Sequence, residues 1–169
     1  MSITYRTPTT KDWSTIDHLF RVSFCDTFAH LYAEEDLDAF LADFTEQAWT
    51  AQLTDAAYAF LLAEDEGEPV GYVKLGPREL PVASAENSIE LRQLYLLKHW
   101  HGQGIAEHLM RWAVDTAKER GAAEMFLTVY TDNHRARRFY ERWGFDYVGP
   151  YTFMVGNHRD EDIIMRRPL

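Results

Sequence analysis

The stretch His101-Gly102-Gln103-Gly104-Ile105-Ala106 sets two glycines one residue apart, where a strand pattern gives way to a helix pattern. A helix start carries backbone N–H groups with no internal partner, and its aligned peptide dipoles add partial positive charge. Glycine accepts positive φ and lets a ligand reach the main chain. Such a loop is a ready seat for phosphate. A plain strand-to-helix turn uses the same residues, so the loop alone leaves both readings open. Other reactive side chains are sparse. Cys25 is the only cysteine, which excludes an intramolecular disulfide and a cysteine-based zinc site. It sits among apolar helix positions and reads as packing rather than as a nucleophile. His99, His101 and His108 lie close together, but their spacing matches no metal site, and no metal is expected.

Charge points to the kind of partner. The chain carries 27 Asp and Glu against 17 Lys and Arg, and a net charge of -10 argues against nucleic acid. From Arg21 to Lys74 there is no lysine or arginine between the two, whereas Arg135, Arg137, Arg138 and Arg142 cluster late. An acidic half suits a cationic partner and an arginine cluster an anionic one; two solvated helix faces of opposite sign are the alternative. With 46% hydrophobic and 14% aromatic residues, the chain reads as one folded domain over 1–169. No apolar run reaches the ~18 residues of a membrane span, so no membrane partner is expected. The N-terminus lacks the apolar segment of a signal peptide, and these features favour the cytoplasm.

The elements that must position the loop follow from periodicity. Residues 3–6 read as a strand, and Thr9 followed by Asp12 as a helix cap. Ile16, Leu19, Phe20, Ser23 and Phe24 recur at helical spacing, and further helices are expected over 34–44 and 46–53. Strands over 57–63 and 70–75 make a hairpin about the turn residues 65–69, and 77–87 is a polar loop. A strand over 89–97 enters the glycine loop. The next helix turns Ile105, Leu109, Trp112, Ala113 and Thr116 inward and ends at Gly121. A strand over 125–130, a helix over 133–143 capped from Thr131 or Asp132, and strands over 145–148, 152–155 and 162–165 complete the chain. Strand and helix alternate in this late part, so the fold is α/β, a mixed sheet with helices on both faces.

The order of strand, glycine loop, helix and strand, then Asn133-x-x-Ala136-x-x-Phe139-Tyr140-x-x-x-Gly144-Phe145, resembles the GNAT family of acetyl-CoA-dependent N-acetyltransferases. Gly104 and Ala106 fit the family loop, Gln/Arg-x-x-Gly-x-Gly/Ala, whereas His101 departs from its first position. Phe24-x-Asp26-Thr27-Phe28, Gly71-Tyr72-Val73-Lys74, and Phe153 to Gly156 ahead of 162–165 are similar to bacterial spermidine/spermine acetyltransferases of the PaiA type. The resemblance implies a sheet of about seven strands and acetyl-CoA as cosubstrate. Its pyrophosphate would lie on the main chain of His101, Gly102, Gln103, Gly104, Ile105 and Ala106. Its thioester would face the backbone of Leu94, Tyr95 and Leu96, where an N–H can stabilise an oxyanion. Asn133 would contact the cofactor arm or simply cap its helix, and Arg142 would meet the nucleotide end.

The same resemblance makes Tyr140 the general acid for the departing thiolate, since a phenol of ordinary pKa near ~10 stays protonated at neutral pH. Packing against Phe145 is the alternative. Glu90 is the candidate base, acting through water on an ammonium, or else an ion-pair partner of Arg92 on the same strand face. In the family the segment between the first two helices belongs to the acceptor cleft. Asp26, Tyr32, Glu34 and Glu35 are therefore the expected ammonium contacts, with Phe24 and Phe28 over methylenes. The expected function is acetyl transfer to a polyamine or other small cationic amine, with a homodimer as the possible assembly. Acetylation of a protein N-terminus or lysine, and a noncatalytic acyl-CoA-binding regulatory module, are the alternatives.

Overall fold

Phe60, Leu61, Leu62 and Ala63 are consecutive in one strand, and all are buried. A sheet achieves this only when both of its faces are covered. A computed structural model describes residues 1–83 and 87–169. Its strands are β1 (Ile3–Arg6), β2 (Ala59–Asp65), β3 (Glu68–Pro77), β4 (Ser88–Leu96), β5 (Glu124–Tyr130), β6 (Asp146–Val155) and β7 (His158–Pro168). They form one mixed sheet in the order β1-β2-β3-β4-β5-β7-β6. β4 and β5 are parallel, and every other neighbouring pair is antiparallel.

Helices α1 (Trp13–Phe28), α2 (Glu34–Leu41) and α3 (Glu46–Thr54) precede β2; α4 (Ile105–Glu119) and α5 (His134–Arg142) flank β5 in sequence. One core joins α4 and Phe139 and Tyr140 of α5 to Leu61, Val73, Leu91 and Leu127. The opposite core joins α1, α2 and α3 to Phe60, Leu62, Tyr72 and Val155. Alternation along each strand thus feeds two separate layers.

Most expected elements are present. Ile16, Leu19, Phe20, Ser23 and Phe24 are the buried face of α1, and Thr9 with Asp12 forms a capping box on the 3-10 turn before it. Four readings change. Asn133 caps α5 in place of Thr131 or Asp132, its Oδ1 accepting the Ala136 N–H at 3.3 Å. The inward face of α4 is rotated: Met110, Val114 and Ala117 are buried, while Trp112 and Thr116 are half-buried. Small and aliphatic side chains can lie flat on a sheet, and the bulky indole is left at the margin of the core. The strands expected over 145–148 and 152–155 are one strand, β6, with a register shift at Val148, between Tyr147 and Gly149. β6 is an edge strand, where the missing N–H of Pro150 costs no ladder bond. The polar loop expected over 77–87 begins inside β3, and its residues 84–86 lie outside the described residues.

Two features position the site. Pairing of β4 with β5 stops at Glu90 opposite Phe126, and the two strands then part. The β3 register also steps over Arg92, a bulge of the kind that re-aims side chains beside active sites. On the other face, α2 is tied to the β6–β7 turn. Asp36 accepts the Asn157 N–H at 2.9 Å, and a Cβ on Gly156 would meet the Asp36 main chain at 2.6 Å. Gly156 has φ 57°, so Gly156→Ala adds left-handed strain to that collision. The expected loss is about 2–3 kcal/mol, a fall of about 5–10 °C in Tm measured by thermal unfolding. An unchanged Tm would contradict the close seat of α2 on the turn.

Candidate active site

Beyond Glu90, the edge of β4 that faces β5 has no strand beside it, so the main chain of Leu94, Tyr95 and Leu96 borders a gap. A cleft of about 830 Å³ runs through the gap and is lined by residues from both faces of the sheet. It is within the size range of small-ligand sites.

On the α4 side, His101, Gly102 and Ala106 line the cleft. Gly102 and Gly104 have φ 74° and 84°, and Gly104 begins α4 without a side chain to cap it. The first-turn amides of α4 are thus left without a side-chain partner. Gln103 and Gly104 shape the loop from outside the lining, and the Ile105 side chain is buried beneath it. His101 Nε2 lies 2.8 Å from the Leu96 carbonyl, and Nδ1 lies 2.6 Å from Arg135 Nη1. A guanidinium only donates, so Nδ1 accepts and Nε2–H donates to the carbonyl. His101 therefore ties the loop to the end of β4 and to α5 as a neutral ring. Asn133 and Arg142 also line the cleft, Asn133 while capping α5 and Arg142 with its guanidinium 5.9 Å from the Phe139 ring.

Tyr140 projects from α5 into the cleft lining and also meets Phe145 edge-on, with ring centroids 5.9 Å apart. Packing and exposure to the cleft therefore coexist at this residue. Its hydroxyl has no hydrogen-bond partner among the described residues, and burial pushes its pKa up to about 12.

On the opposite side, Glu90 is buried and both of its oxygens are engaged. One accepts the Glu79 N–H at 3.1 Å, and the other lies 3.4 Å from Arg92 Nε. Burial raises its pKa, and the Arg92 guanidinium opposes that rise. Lys74, also buried, donates to Gln52 at 2.9 Å and lies 5.0 Å from the Trp49 ring centroid. Burial, with Arg92 nearby, lowers its pKa to about 7.

Phe24, Asp26, Phe28 and Tyr32 line this half of the cleft, whereas Glu34 and Glu35 stand exposed on the first turn of α2, outside the lining. Tyr32 meets a carboxylate that the sequence reading did not single out: its hydroxyl donates to Asp160 at 2.5 Å. Asp160 also lies 3.1 Å from His158 Nε2. Two residues on, Asp162 faces the same cleft, is buried, and makes no hydrogen bond or ion pair with its side chain among the described residues. Burial first, and then the neighbouring Asp160, raise its pKa to about 7. The sequence signal was present in Asp160-x-Asp162-x-Ile164, where period two puts both acids on one strand face with an apolar residue. Cys25 is outside the lining, and burial pushes its thiol up. Among the described residues, no group of three or more His, Cys, Asp or Glu could hold a metal ion, and no helix is long and apolar enough to cross a membrane.

Parted parallel strands, an uncapped helix start at one mouth of the gap and a tyrosine between its two halves are the build of a CoA-dependent acyltransferase. Residues 15–145 match the acetyltransferase (GNAT) family, and the chain belongs to it. It is an acyltransferase with acetyl-CoA as its cosubstrate. An uncharacterized N-acetyltransferase of Mycobacterium tuberculosis is 36% identical over 138 residues, covering 81% of this chain and 85% of that one. N-alpha-acetyltransferase 30 of Schizosaccharomyces pombe is 44% identical over 55 residues, 32% of this chain and 37% of that one. The crystal structure of the PaiA N-acetyltransferase of Thermoplasma acidophilum in complex with coenzyme A covers 100% of both chains, with a TM-score of 0.81. At 23% identity it shares the fold.

The elevated Asp162 pKa fixes a sign for stability. The folded chain holds this proton up to about pH 7, whereas an unfolded aspartate releases it near pH 4. Stability from this group is therefore lost as pH rises between those values, with a ceiling of ~4 kcal/mol. Tyr32, Tyr95, Tyr130 and Asp160 are the titratable groups facing Asp162. Asp162→Asn is expected to match the parent near pH 4 and to unfold at higher temperature from about pH 7 upward. A variant no more stable than the parent at about pH 8 would contradict this.

Proposed function

We propose that the protein moves the acetyl group of acetyl-CoA onto a primary amine of a polyamine or other small cationic amine, by direct attack while both ligands occupy the cleft. One observation carries this reading: a single cleft joins the glycine loop to the acidic, aromatic face through the gap between β4 and β5. The first-turn amides of α4, with Gly102 and Gly104 giving close access, fit the pyrophosphate. The free edge of β4 at Leu94, Tyr95 and Leu96 fits the pantetheine and the thioester carbonyl, and Asn133 and Arg142 border the rest of the arm.

A primary amine of pKa near ~10 is about one part in a thousand neutral at pH 7, an obstacle of roughly 4 kcal/mol. Glu90 takes the ammonium proton through a water, because its own oxygens are engaged by Arg92 and the Glu79 N–H. The amine nitrogen then bonds to the acetyl carbon, the carbon–sulfur bond breaks, and the nitrogen releases its second proton to solvent as the neutral amide forms. Tyr140 gives its phenolic proton to the departing thiolate and recovers one from solvent. A pKa of about 12 keeps that proton in place throughout the neutral range. Acetylation of a protein N-terminus is the second reading, and the likeness to N-alpha-acetyltransferase 30 over 55 residues favours it.

Thiol release with acetyl-CoA and a panel of amines tests the acceptor. Spermidine and spermine are expected to turn over ahead of neutral-chain amines, and turnover of a neutral-chain amine with no rate for either polyamine overturns the cationic acceptor. Tyr140→Phe is expected to lower kcat by about two to three orders of magnitude with acetyl-CoA affinity retained. Undiminished turnover removes the acid role.

A further inference from the structure

The two ends of the acceptor half of the cleft differ in how their charge is balanced. At one end Glu90 has Arg92 at 3.4 Å and buried Lys74 within electrostatic reach. At the other end Asp162 is 8% exposed, lines the cleft, and has no partner for its carboxylate among the described residues. Asp160, 5% exposed, is held by the Tyr32 hydroxyl and by His158. No lysine or arginine contributes to the electrostatics of Asp162, only Asp160 and burial. An unpartnered, nearly buried carboxylate is costly unless something charged comes to it. The surrounding side chains suit a cation on an alkyl chain: Phe28 and Tyr130 meet edge-on at 6.0 Å, and Tyr151 lines the same wall.

Register gives the position. Asp162 pairs with Tyr130, which lies four residues beyond Phe126, just as Leu94 lies four residues beyond Glu90. Asp162 therefore stands level with the thioester stretch of β4, displaced sideways because β7 lies on the far side of β5. A nitrogen over β7 and a nitrogen in the gap are separated by at least one strand spacing, ~5 Å, which takes several methylenes to span.

We propose that Asp162, with Asp160 beside it, seats a second positively charged nitrogen of the acceptor, so that the acceptor is a diamine or a longer polyamine whose other nitrogen reacts in the gap. This rests on the acetyl-transfer reading above and adds to it the residue that sets acceptor choice. A protonated amine at Asp162 gains a charge-assisted hydrogen bond with a carboxylate that is largely shielded from solvent. A monoamine of the same length leaves that carboxylate unpartnered.

The experiment compares kcat/KM for putrescine and for n-butylamine, with acetyl-CoA saturating and thiol release as the readout. The wild-type protein is expected to prefer putrescine by roughly ten- to a hundredfold. Asp162→Asn brings the preference to within about threefold of unity by raising the KM for putrescine, and Asp162→Glu retains part of the preference. A wild-type protein that turns both amines over without preferring putrescine overturns the seat, and this ratio needs no variant. A preference that survives Asp162→Asn also overturns it. If no amine of any kind is turned over, the acetyl-transfer reading falls and the seat falls with it; turnover without a diamine preference removes the seat alone.

Discussion

The parting of β4 from β5 after three paired residues is the constraint on which the rest of the molecule depends. Strand edges inside a fold carry unpaired N–H and C=O groups, and buried backbone groups must find partners. Here the open edge of β4 borders a cleft, so the groups that a neighbouring strand would satisfy are left facing that cleft. The same separation lets residues from one face of the sheet approach residues from the other. Tyr140, packed with the α4 core, and Tyr95, packed with the α1 core, lie within electrostatic reach of each other across it.

Around the gap the fold trades stability for charge placement. Glu90, Lys74, Asp160 and Asp162 are all buried at the site. The first two have partners, Glu90 in Arg92 and the Glu79 N–H and Lys74 in Gln52, yet burial still raises the pKa of Glu90 and lowers that of Lys74. Asp162 has no side-chain partner among the described residues, and burial together with Asp160 raises its pKa. A destabilising group kept at a ligand-facing position is the usual sign of function set against stability. His101 makes a different accommodation. It replaces the glutamine or arginine of the family loop with a ring that bonds to the Leu96 carbonyl and to Arg135, so the departure in side chain keeps the loop anchored to β4.

Much of the fold was legible in the sequence because it rests on local pattern. The spacing of Ile16 to Phe24, the Thr9–Asp12 cap and the glycines before Ile105 each encode one element without reference to distant residues. The glycine-loop side of the cleft was legible for the same reason, since a glycine loop at a helix start is contiguous in sequence. On the opposite side Phe24, Asp26, Phe28 and Tyr32 were legible, but the carboxylates buried there were not. Tyr32 and Asp160 are separated by 128 positions and meet only because β7 returns between β5 and β6. Acidic residues in the first half of the chain drew attention to Glu34 and Glu35, which fold to the outside, while the buried acids sat in a strand recognisable only by its period. The α4 face was missed because side-chain size at a core margin is settled by packing, and packing likewise chooses Asn133, among three adjacent capping residues, as the cap.

In the proposed mechanism both ligands meet in one cleft and the acetyl group passes directly between them, with no acyl-enzyme on Cys25 or any other side chain. Initial-rate kinetics with acetyl-CoA and putrescine varied against each other test this most directly. Double-reciprocal lines that intersect are the predicted result, the signature of a ternary complex. Parallel lines, the ping-pong pattern of a covalent intermediate, would contradict it.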